Sequence, residues 1–438
     1  MTRNRYRMPL LVGTALAIFV GLAPAPRARA GGFLLTEQSA EGIAMASAVA
    51  ASTTEPAAVW YNPAALSFMP GYQASVGGVV YFGQPSFDPA DGSGTIKAKP
   101  TRQPVPACFI TGRFHDRVAA GLGLYIPFGL GIGWDENWLG RDSGIKGSIM
   151  TLDINPVVSV KLARNLSLAA GFDLMRSAVD ITQGLNAIGG GSARIGGTAW
   201  GYGGNAALLY RALPERLHFA ATYRSRVKLD FAGRAHFAVT EPVFSAQLFD
   251  QGGAAKITVP DIIGLAVMVR PHHRLTLELD ANVVLWSTYK DIPLDFAEPQ
   301  TPDSGLHPNY HDQVSVRLGA DWKTPVTGLH VKGGLIFDQN PAPQDGVSPL
   351  LPDAHAVDVS LGIGYVTRWL RVDLGYMLVN FLPSKAVPNA DRPAQSPAGT
   401  YRTSTAHLLG LTLTGRLGQP QAAAAPAPAA APAPPLAR

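Results

Sequence analysis

The residues best suited to chemistry form an apolar cluster that follows residue 127. The cluster contains Phe128, Leu130, Ile132, Trp134, Trp138 and Leu139. It falls in a stretch, 128–146, that otherwise has the composition of a polar loop. Side chains of this kind can bury an apolar molecule, with a gain of about 25 cal/mol per Å² of apolar area. We predict that the cluster lines a groove for a hydrophobic ligand; the alternative is that it packs the loop on itself as a rigid cap.

Arg141 follows the apolar cluster and is the basic residue best placed to meet a ligand. Its guanidinium could form charge-assisted hydrogen bonds with the carboxylate of a fatty acid. A salt bridge within the loop explains the residue equally well.

Motifs that support catalysis are scarce. The sequence contains no G-x-S-x-G, H-E-x-x-H, P-loop or paired C-x-x-C motif. The glycines of residues 201–206 partly match a dinucleotide fingerprint, but they lie inside a predicted strand and open no helix. His272 and His273 lie in a short turn, where solvation explains them better than metal binding. We therefore predict no catalytic residue, no metal site and no cofactor.

The first 30 residues have the pattern of a secretory signal peptide. Arg3, Arg5 and Arg7 precede an apolar segment over 10–23, and residues 28–30 have the small-x-small pattern of a cleavage site. These residues include five of the 36 basic side chains and none of the 31 acidic ones, so the remainder is formally neutral. This balance does not suggest a nucleic-acid partner. The single cysteine, Cys108, excludes an internal disulfide.

Alternation with a period of two dominates from Tyr72 onward. Charged residues make up only 15% of the chain, against roughly a quarter in soluble proteins. No apolar run long enough for a membrane-spanning helix follows the signal peptide. One side of the alternation carries Leu275, Leu277, Leu279, Ala281, Val283 and Leu285, and another segment carries Leu217, Phe219, Ala221, Tyr223, Val227, Leu229 and Phe231. Such strands have one apolar and one polar face, as expected of a sheet that faces lipid on one side.

The lengths of the connections favour a membrane barrel. Short links over 114–117, 163–165, 213–216, 271–274, 325–328 and 367–369 alternate with long Gly- and Pro-rich stretches. This asymmetry is typical of outer-membrane barrels, and the count gives about 14 antiparallel strands, closed so that no edge meets lipid. Trp200 and Tyr210 share a face and lie about 25 Å apart along the barrel axis, the height of a lipid-facing band.

Residues 31–70 differ from the rest of the chain. Small side chains are frequent, the alternation is missing, and Asn62-Pro63 is a turn signal. We predict a compact plug inside the barrel; an ordinary N-terminal loop is the alternative. The predicted organisation is therefore a signal peptide over 1–30, an N-terminal hatch over 31–70, a transmembrane β-barrel over 71–418 and a disordered Ala/Pro-rich tail over 419–438.

Several separated motifs resemble the FadL/TodX family of outer-membrane transporters for long-chain fatty acids and other hydrophobic compounds. They span residues 31–417 and comprise Gly32-Phe33, Asn62-Pro63-Ala64, residues 125–130 with Trp134, Trp138 and Gly140-Arg141, Ile154-Asn155-Pro156, Val259-Pro260-Asp261, residues 286–289, and Ser348-Pro349 with Leu351-Pro352-Asp353. The family commonly ends in an aromatic strand residue. Here the last strand, 411–417, is followed by the Ala/Pro tail.

The resemblance implies an all-β, 14-stranded barrel plugged by an N-terminal hatch. It also implies capture of a hydrophobic ligand in an apolar loop groove, transfer to a pocket near the hatch N-terminus, and release through a gap made by a kinked third strand. On that basis the ligand-binding candidates are Phe33, Phe128, Leu130, Trp134, Trp138 and Arg141, and the residues supporting the hatch are Asn62, Pro63 and Ala64.

The predicted third strand, 118–126, contains Gly121 and Gly123. Glycine weakens a strand and often marks a bend, so we place the lateral gap at these two residues. The alternative is that the two glycines only allow the plug to approach the wall closely.

The sequence therefore predicts a monomeric outer-membrane transporter for a fatty acid or a hydrocarbon, in contact with outer-membrane lipid. An outer-membrane lipid hydrolase, or a general porin or structural barrel, are the alternatives. Which hydrophobic molecule is carried does not follow from the sequence.

Overall fold

The fold is described from a computed structural model that covers residues 32–186, 189–301, 304–388, 397–402 and 404–418, with Ser304 described by its backbone alone. The predicted signal peptide and the Ala/Pro tail lie outside the described residues. Among these residues, none of the helices has the length and apolar character needed to cross a membrane.

The strands follow one another in an antiparallel order. In chain order they are β1 (Tyr72–Gly83), β2 (Ser86–Pro89), β3 (Ile96–Lys97), β4 (Thr101–Arg113), β5 (Val118–Gly133), β6 (Lys146–Ala163), β7 (Leu166–Gly184), β8 (Gly191–Leu213), β9 (Leu217–Arg224), β10 (Val227–Val239), β11 (Gln251–Val259), β12 (Ile262–His272), β13 (Leu275–Val284), β14 (Ile292–Phe296), β15 (Ser304–Leu306), β16 (Gln313–Lys323), β17 (Leu329–Asp338), β18 (Ala356–Val366), β19 (Leu370–Phe381), β20 (Ser384–Ala386), β21 (Gly399–Tyr401) and β22 (Ser404–Leu417).

These strands form a closed barrel of 14 antiparallel strands. Four of the barrel strands each consist of two consecutive segments, namely β9 with β10, β11 with β12, β13 with β14, and β15 with β16. Pairing of β1 with β22 closes the barrel, so the first and last strands leave no exposed edge. The short strands β2, β3, β20 and β21 make a separate small sheet among the long connections. The predicted fold class is confirmed.

The two faces of the wall differ as the alternation predicted. Leu265, Leu318 and Leu374 are exposed on the outer face, whereas Glu278 and Asp280 are buried on the inner face. The aromatic side chains that were expected at the rims of the apolar band also point outward: Trp200 is 50% exposed, Tyr202 65% and Tyr210 40%. The outer surface is therefore suited to lipid.

The parity of the residues that face inward reverses between β9 and β10 and between β11 and β12, which the sequence analysis did not predict. Phe219 and Tyr223 of β9 are exposed, but Val227, Leu229 and Phe231 of β10 are buried. The expectation that all of them share one face was wrong. The break at residues 225–226 shifts the alternation by one residue, and a one-residue shift turns every following side chain to the other face.

Asp261 aligns the breaks of three neighbouring strands. Its carboxylate accepts hydrogen bonds from the Tyr223 hydroxyl (2.8 Å) and from Arg226 Nε (2.7 Å), and its carbonyl oxygen accepts one from the backbone N–H of Leu285 (2.9 Å). The breaks after β9, before β12 and after β13 therefore occur together. Beyond them the inner face of the wall becomes apolar, and this change creates the lining described below.

The hatch fills the barrel interior with short helices. It contains the α-helices Ala40–Ala44 and Ala58–Tyr61 and the 3₁₀ helix Pro63–Phe68; two further 3₁₀ turns, Pro242–Phe244 and Trp286–Thr288, lie in the barrel part of the chain. Ser39 caps the first helix by accepting a hydrogen bond from the Gly42 N–H (3.0 Å).

Buried ion pairs attach this first hatch helix to the wall. The Glu41 carboxylate pairs with Arg371 of β19 at 2.6 Å and with Lys332 of β17. Gly375 lets the helix lie against the wall, because a Cβ there would be 2.5 Å from the carbonyl oxygen of Ala40. The body of the hatch is therefore held by charge pairing and by close backbone contact.

Candidate ligand-binding site

An apolar cavity of about 420 Å³ lies at the end of the barrel that carries the long connections. Its size falls within the range of about 300–1,000 Å³ that is common for small-molecule sites. Seven different strands contribute apolar side chains to its wall, namely Leu130, Ile149, Val179, Ile195, Ile257, Leu294 and Leu306. The cavity can therefore remove a hydrophobic molecule from water.

Phe33 forms one side of this cavity. Its ring is 3% exposed and makes edge-to-face contacts with Trp286 (4.9 Å between ring centroids), Tyr289 (5.4 Å) and Phe128 (5.9 Å). Phe33 and Leu130 line the cavity, whereas Phe128 packs behind Phe33 and Trp286. Phe128 and Leu130 belong to β5, because this strand continues to Gly133 rather than ending at residue 126 as predicted.

Trp134 and Trp138 do not line the cavity. The two indoles stack at 4.4 Å between centroids, and their N–H groups donate to the carbonyl oxygens of Pro349 (2.9 Å) and Gly144 (2.8 Å). This arrangement matches the alternative in which the apolar cluster packs as a rigid cap. The pair fastens the connection after β5 to the segment before β18.

Arg141 is also directed into the connection rather than into the cavity. Its Nε donates to the carbonyl oxygen of Glu136 (2.6 Å), and its terminal nitrogens donate to Asn186 Oδ1 and to the carbonyl oxygen of Gly191 (3.0 Å). The predicted contact with a ligand carboxylate is not what the structure shows for this side chain. Its partners are neutral acceptors, so the loop salt bridge that was the alternative is not what holds it either.

Sequence reasoning missed most of the cavity lining. Ala255, Ile257 and Val259 of β11 alternate with polar residues in the same way as lipid-facing residues do, yet Ala255 and Ile257 line the cavity. These side chains point inward because the alternation shifts at residues 260–261, between β11 and β12. The only signal in the sequence was Pro260, which is unusual inside a strand.

The wall is discontinuous between β4 and β5. The β4–β5 ladder runs from Arg113–Ala119 to Cys108–Leu124, although β4 extends to Thr101 and β5 to Gly133. The two segments meet again at the far end, where the Thr101 hydroxyl donates to the carbonyl oxygen of Gly131 (3.1 Å) and the Lys99 N–H to that of Gly133 (2.7 Å). The register of β5 against β6 shifts between Tyr125 and Phe128, which is the signature of a bulge. We refer to the interval over which β4 and β5 are unpaired as the gap.

The gap begins beyond the two glycines at which it was predicted. Gly121 pairs with Thr111 and Gly123 with Phe109, so both lie where the wall is intact. A Cβ on Gly121 would lie 2.7 Å from a methyl carbon of Val59 and 3.0 Å from one of Leu66. This glycine therefore serves the alternative role of letting the hatch approach the wall.

The N-terminal segment of the hatch covers the free edge of β5. Leu34 and Phe128 form an antiparallel bridge, the Leu35 N–H donates to the carbonyl oxygen of Pro127 (2.8 Å), and the Gly129 N–H donates to that of Phe33 (3.0 Å). The Gln38 amide adds a bond to the carbonyl oxygen of Ile126 (2.9 Å). Residues 33–38, called the hatch strap below, thus occupy part of the position that β4 vacates.

The opposite edge of the gap carries two prolines. In the β1–β4 ladder the Arg113 N–H donates to the carbonyl oxygen of Gly71, so odd-numbered residues of β4 direct their backbone groups to β1. Pro104 and Pro106 are even-numbered and are paired with Val80 and Gly78. Their nitrogens face the gap, since backbone groups alternate sides along an antiparallel ladder. Proline has no N–H, so this edge lacks two donors.

Asp353 holds the start of the hatch strap. One carboxylate oxygen accepts a hydrogen bond from the Gly32 N–H (2.8 Å), and the other accepts one from the Ala354 N–H (3.1 Å). Burial raises the pKa of the Asp353 carboxyl well above its usual range. The contact joins the hatch N-terminus to the long connection before β18.

Comparison with known proteins identifies this architecture. The family model described as outer membrane protein transport protein (OMPP1/FadL/TodX) matches residues 21–416. The chain belongs to this family. Outer membrane protein P1 of Haemophilus influenzae is 25% identical, over 92% of this chain and 98% of that protein. The long-chain fatty acid transport protein of Escherichia coli (strain CFT073) is 24% identical, over 81% of this chain and 88% of that protein.

Solved structures of FadL/TodX proteins have the same fold. A Pseudomonas aeruginosa FadL homologue superposes with a TM-score of 0.79 at 19% identity, over 88% of this chain and all of that one. The Pseudomonas putida toluene transporter TodX gives a TM-score of 0.70 at 17% identity, over 89% and 99%. The chain is thus a bacterial outer-membrane β-barrel protein of a FadL/TodX family that is made of transporters rather than enzymes.

In this FadL/TodX family member the Asn62-Pro63-Ala64 motif lies between hatch and wall. The Asn62 amide donates to the carbonyl oxygen of Ala50 (2.6 Å), and its oxygen accepts from the Ala64 N–H (3.0 Å). Pro63 begins the 3₁₀ helix. The carbonyl oxygen of Ala64 accepts hydrogen bonds from the hydroxyls of Ser167 (2.7 Å) and Ser159 (3.2 Å), which belong to the wall.

Proposed function

We propose that this protein takes up hydrophobic molecules, the class that includes fatty acids and hydrocarbons, by lateral release through its wall. The ligand is captured in the apolar cavity, passes Phe33, and leaves between β4 and β5 into the lipid. The residues proposed to contact the ligand are Phe33 and Leu130, with Phe128 supporting Phe33. Asn62, Pro63 and Ala64 are proposed to hold the hatch in place.

A single observation carries this proposal: the hatch strap contributes to both the cavity and the gap. Phe33 lines the cavity, while its carbonyl oxygen and the next two residues bond to β5 at the edge of the gap. A ligand that displaces the Phe33 ring therefore strains the bonds that close the gap. Coupling of this kind needs no motion of the hatch body, which Glu41 anchors to the wall.

The position of the gap favours release into lipid. Strand β5 borders the gap on one side and pairs with β6 on its other side. In that pairing Phe128 lies opposite Thr151, and Gly129 lies opposite Met150. Met150 and Leu152 are exposed on the outer face. A solute that leaves at this level enters the apolar band of the membrane and avoids the aqueous periplasm.

We further propose that the protein acts without catalysis and as a monomer in contact with outer-membrane lipid. Among the described residues, no group of three or more His, Cys, Asp or Glu side chains is placed to hold a metal ion. A general porin is disfavoured because the hatch fills the bore, so a low ion conductance in planar bilayers is expected. Removal of residues 1–30 as a signal peptide remains part of the proposal.

A reversible lock on the hatch strap tests the mechanism. Leu34 and Phe128 form a non-hydrogen-bonded antiparallel pair, with Cα atoms about 4.5 Å apart in regular geometry, which suits a disulfide. Leu34→Cys with Phe128→Cys in a Cys108→Ser background should transport a labelled alkane or fatty acid only after reduction. Each single-cysteine variant serves as a matched control and should show no redox dependence.

Two results would count against the proposal. If the oxidised double variant transports as fast as its reduced form, then release does not require the strap to move. If the wild-type protein neither binds nor transports any of the hydrophobic compounds, then the proposed uptake function itself is wrong.

A further inference from the structure

We infer that the cavity selects hydrophobic molecules that carry no negative charge, such as hydrocarbons and alcohols, over fatty-acid anions. This inference rests on the proposed function and narrows its substrate class. It follows from the sign of the charges around the cavity, because the charged side chains that line it are acidic.

The cavity offers a carboxylate no cationic partner. Among the residues that the structure describes, the charged side chains lining it are acidic, Asp142 and Asp345, and neither Lys nor Arg is present. His307 also lines the cavity, but its ring nitrogen Nδ1 contacts the Asp291 carboxylate. A ligand carboxylate would therefore meet two like charges.

The cations nearby in sequence point elsewhere. Arg141 directs its guanidinium to neutral acceptors, the carbonyl oxygens of Glu136 and Gly191. Lys146 and Arg194 pair with Asp180 and are largely exposed. On β10 and β11 the reversed facing of the wall turns Lys228 and Lys256 to the exposed outer side, while Leu229 and Ile257 are buried.

Burial of an unpaired anion is strongly unfavourable in an apolar site, and a neighbouring like charge adds to that penalty. A neutral molecule of the same length gains the same apolar burial without either penalty. The cavity therefore discriminates against a ligand with a negatively charged head group, because it offers that charge no partner. It does not select the head group by forming a bond to it.

Equilibrium binding of a matched ligand pair tests this inference. Decan-1-ol and decanoate have the same chain and differ in charge at about pH 8. Each is measured by dialysis against the full protein in nanodiscs, with empty nanodiscs as the reference for partitioning into lipid. The Ala255→Trp variant fills the cavity, so the binding that is lost in this variant is the binding at this site. We expect the partition-corrected affinity for decanol to exceed that for decanoate by at least about tenfold.

A charge-switch variant sharpens the result. Gln183 lines the cavity, and Gln183→Arg should raise the affinity for decanoate about tenfold or more, whereas Gln183→Met, of similar length and without charge, should not. Equal binding of both ligands to the wild-type protein would overturn the inference while leaving the proposed uptake function intact. Failure of both ligands to bind in a manner sensitive to Ala255→Trp would instead contradict the role of this cavity in uptake.

Discussion

Leu34 of the hatch and Phe128 of β5 are paired as an antiparallel β-bridge. The bridge makes the hatch strap a short substitute for the part of β4 that turns away. Because the neighbouring Phe33 lines the cavity, a change in the cavity can reach the wall through adjacent residues of one short segment.

Phe33→Ala is expected to weaken binding of a hydrophobic ligand by about tenfold or more, since it removes an aromatic wall of the cavity. Titration of the purified protein with a fluorescent hydrophobic probe measures the change. Trp134→Phe is the matched control, because this indole packs outside the cavity; it should leave the affinity near that of the wild-type protein. Unchanged binding in Phe33→Ala would remove Phe33 from the pocket.

Replacing Pro104 and Pro106 together by Thr is expected to slow uptake several-fold. The change supplies two N–H donors at the edge of the gap, with which β5 or the strap can pair. Hydrogen exchange at residues 102–106 should show new protection. Val105→Thr is the control, because its N–H is directed to β1 and adds no donor to the gap. Normal uptake together with new protection would show that the opening is not the exit.

Glu55→Gln is expected to make the stability less dependent on pH. Burial, reinforced by the charge of Glu41, raises the pKa of Glu55 from 4.5 to about 8. The unfolded chain releases its proton near the lower value while the folded protein keeps it, so stability falls as the pH rises between these values. The melting temperature of Glu55→Gln should therefore decline less than that of the wild-type protein between about pH 5 and pH 8.

The matched control for this measurement is Glu215→Gln, because the Glu215 side chain is 89% exposed and lies in a turn. It should follow the wild-type curve. A Glu55→Gln variant whose melting temperature declines as steeply as that of the wild-type protein would show that Glu55 is ionised in the folded state.

Asp261→Ala is expected to lower the free energy of unfolding by about 1–3 kcal/mol, because Tyr223 and Arg226 lose a common acceptor. Asp261→Asn keeps an acceptor oxygen and should lose less. Urea unfolding in lipid vesicles, followed by tryptophan fluorescence, separates the two variants. Equal stability of Asp261→Ala and the wild-type protein would mean that backbone pairing alone aligns the three breaks.

The barrel was predictable because lipid imposes a simple rule on long strands. The alternation of β13, with Leu277 and Leu279 opposite Glu278 and Asp280, follows directly from one apolar and one polar environment. The outward aromatic side chains of Trp200 and Tyr210 follow from the same rule. Closure and the strand number follow from the alternating loop lengths.

The site was less predictable because it depends on irregularities of single residues. The break at residues 225–226 reverses the facing of β10 without changing the residue types that alternate along it. The gap lies beside a bulge near Pro127 and beyond Gly121 and Gly123. The direction of Arg141 is set by acceptors on a distant connection. None of these features changes the local composition of the sequence.

The reversal of the wall at Asp261 also fixes how deeply the protein is immersed. Below it Tyr223 meets lipid tails; above it Lys228 and Asp230 require water or head groups. Sinking by a few residues would bring these charges into hydrocarbon, at a cost of about 0–1 kcal/mol for each lysine near the interface that rises toward about 2–4 kcal/mol at the middle of the bilayer. The membrane surface is thus pinned to one level of the cylinder, with the cavity lining of β11 and β14 above that level.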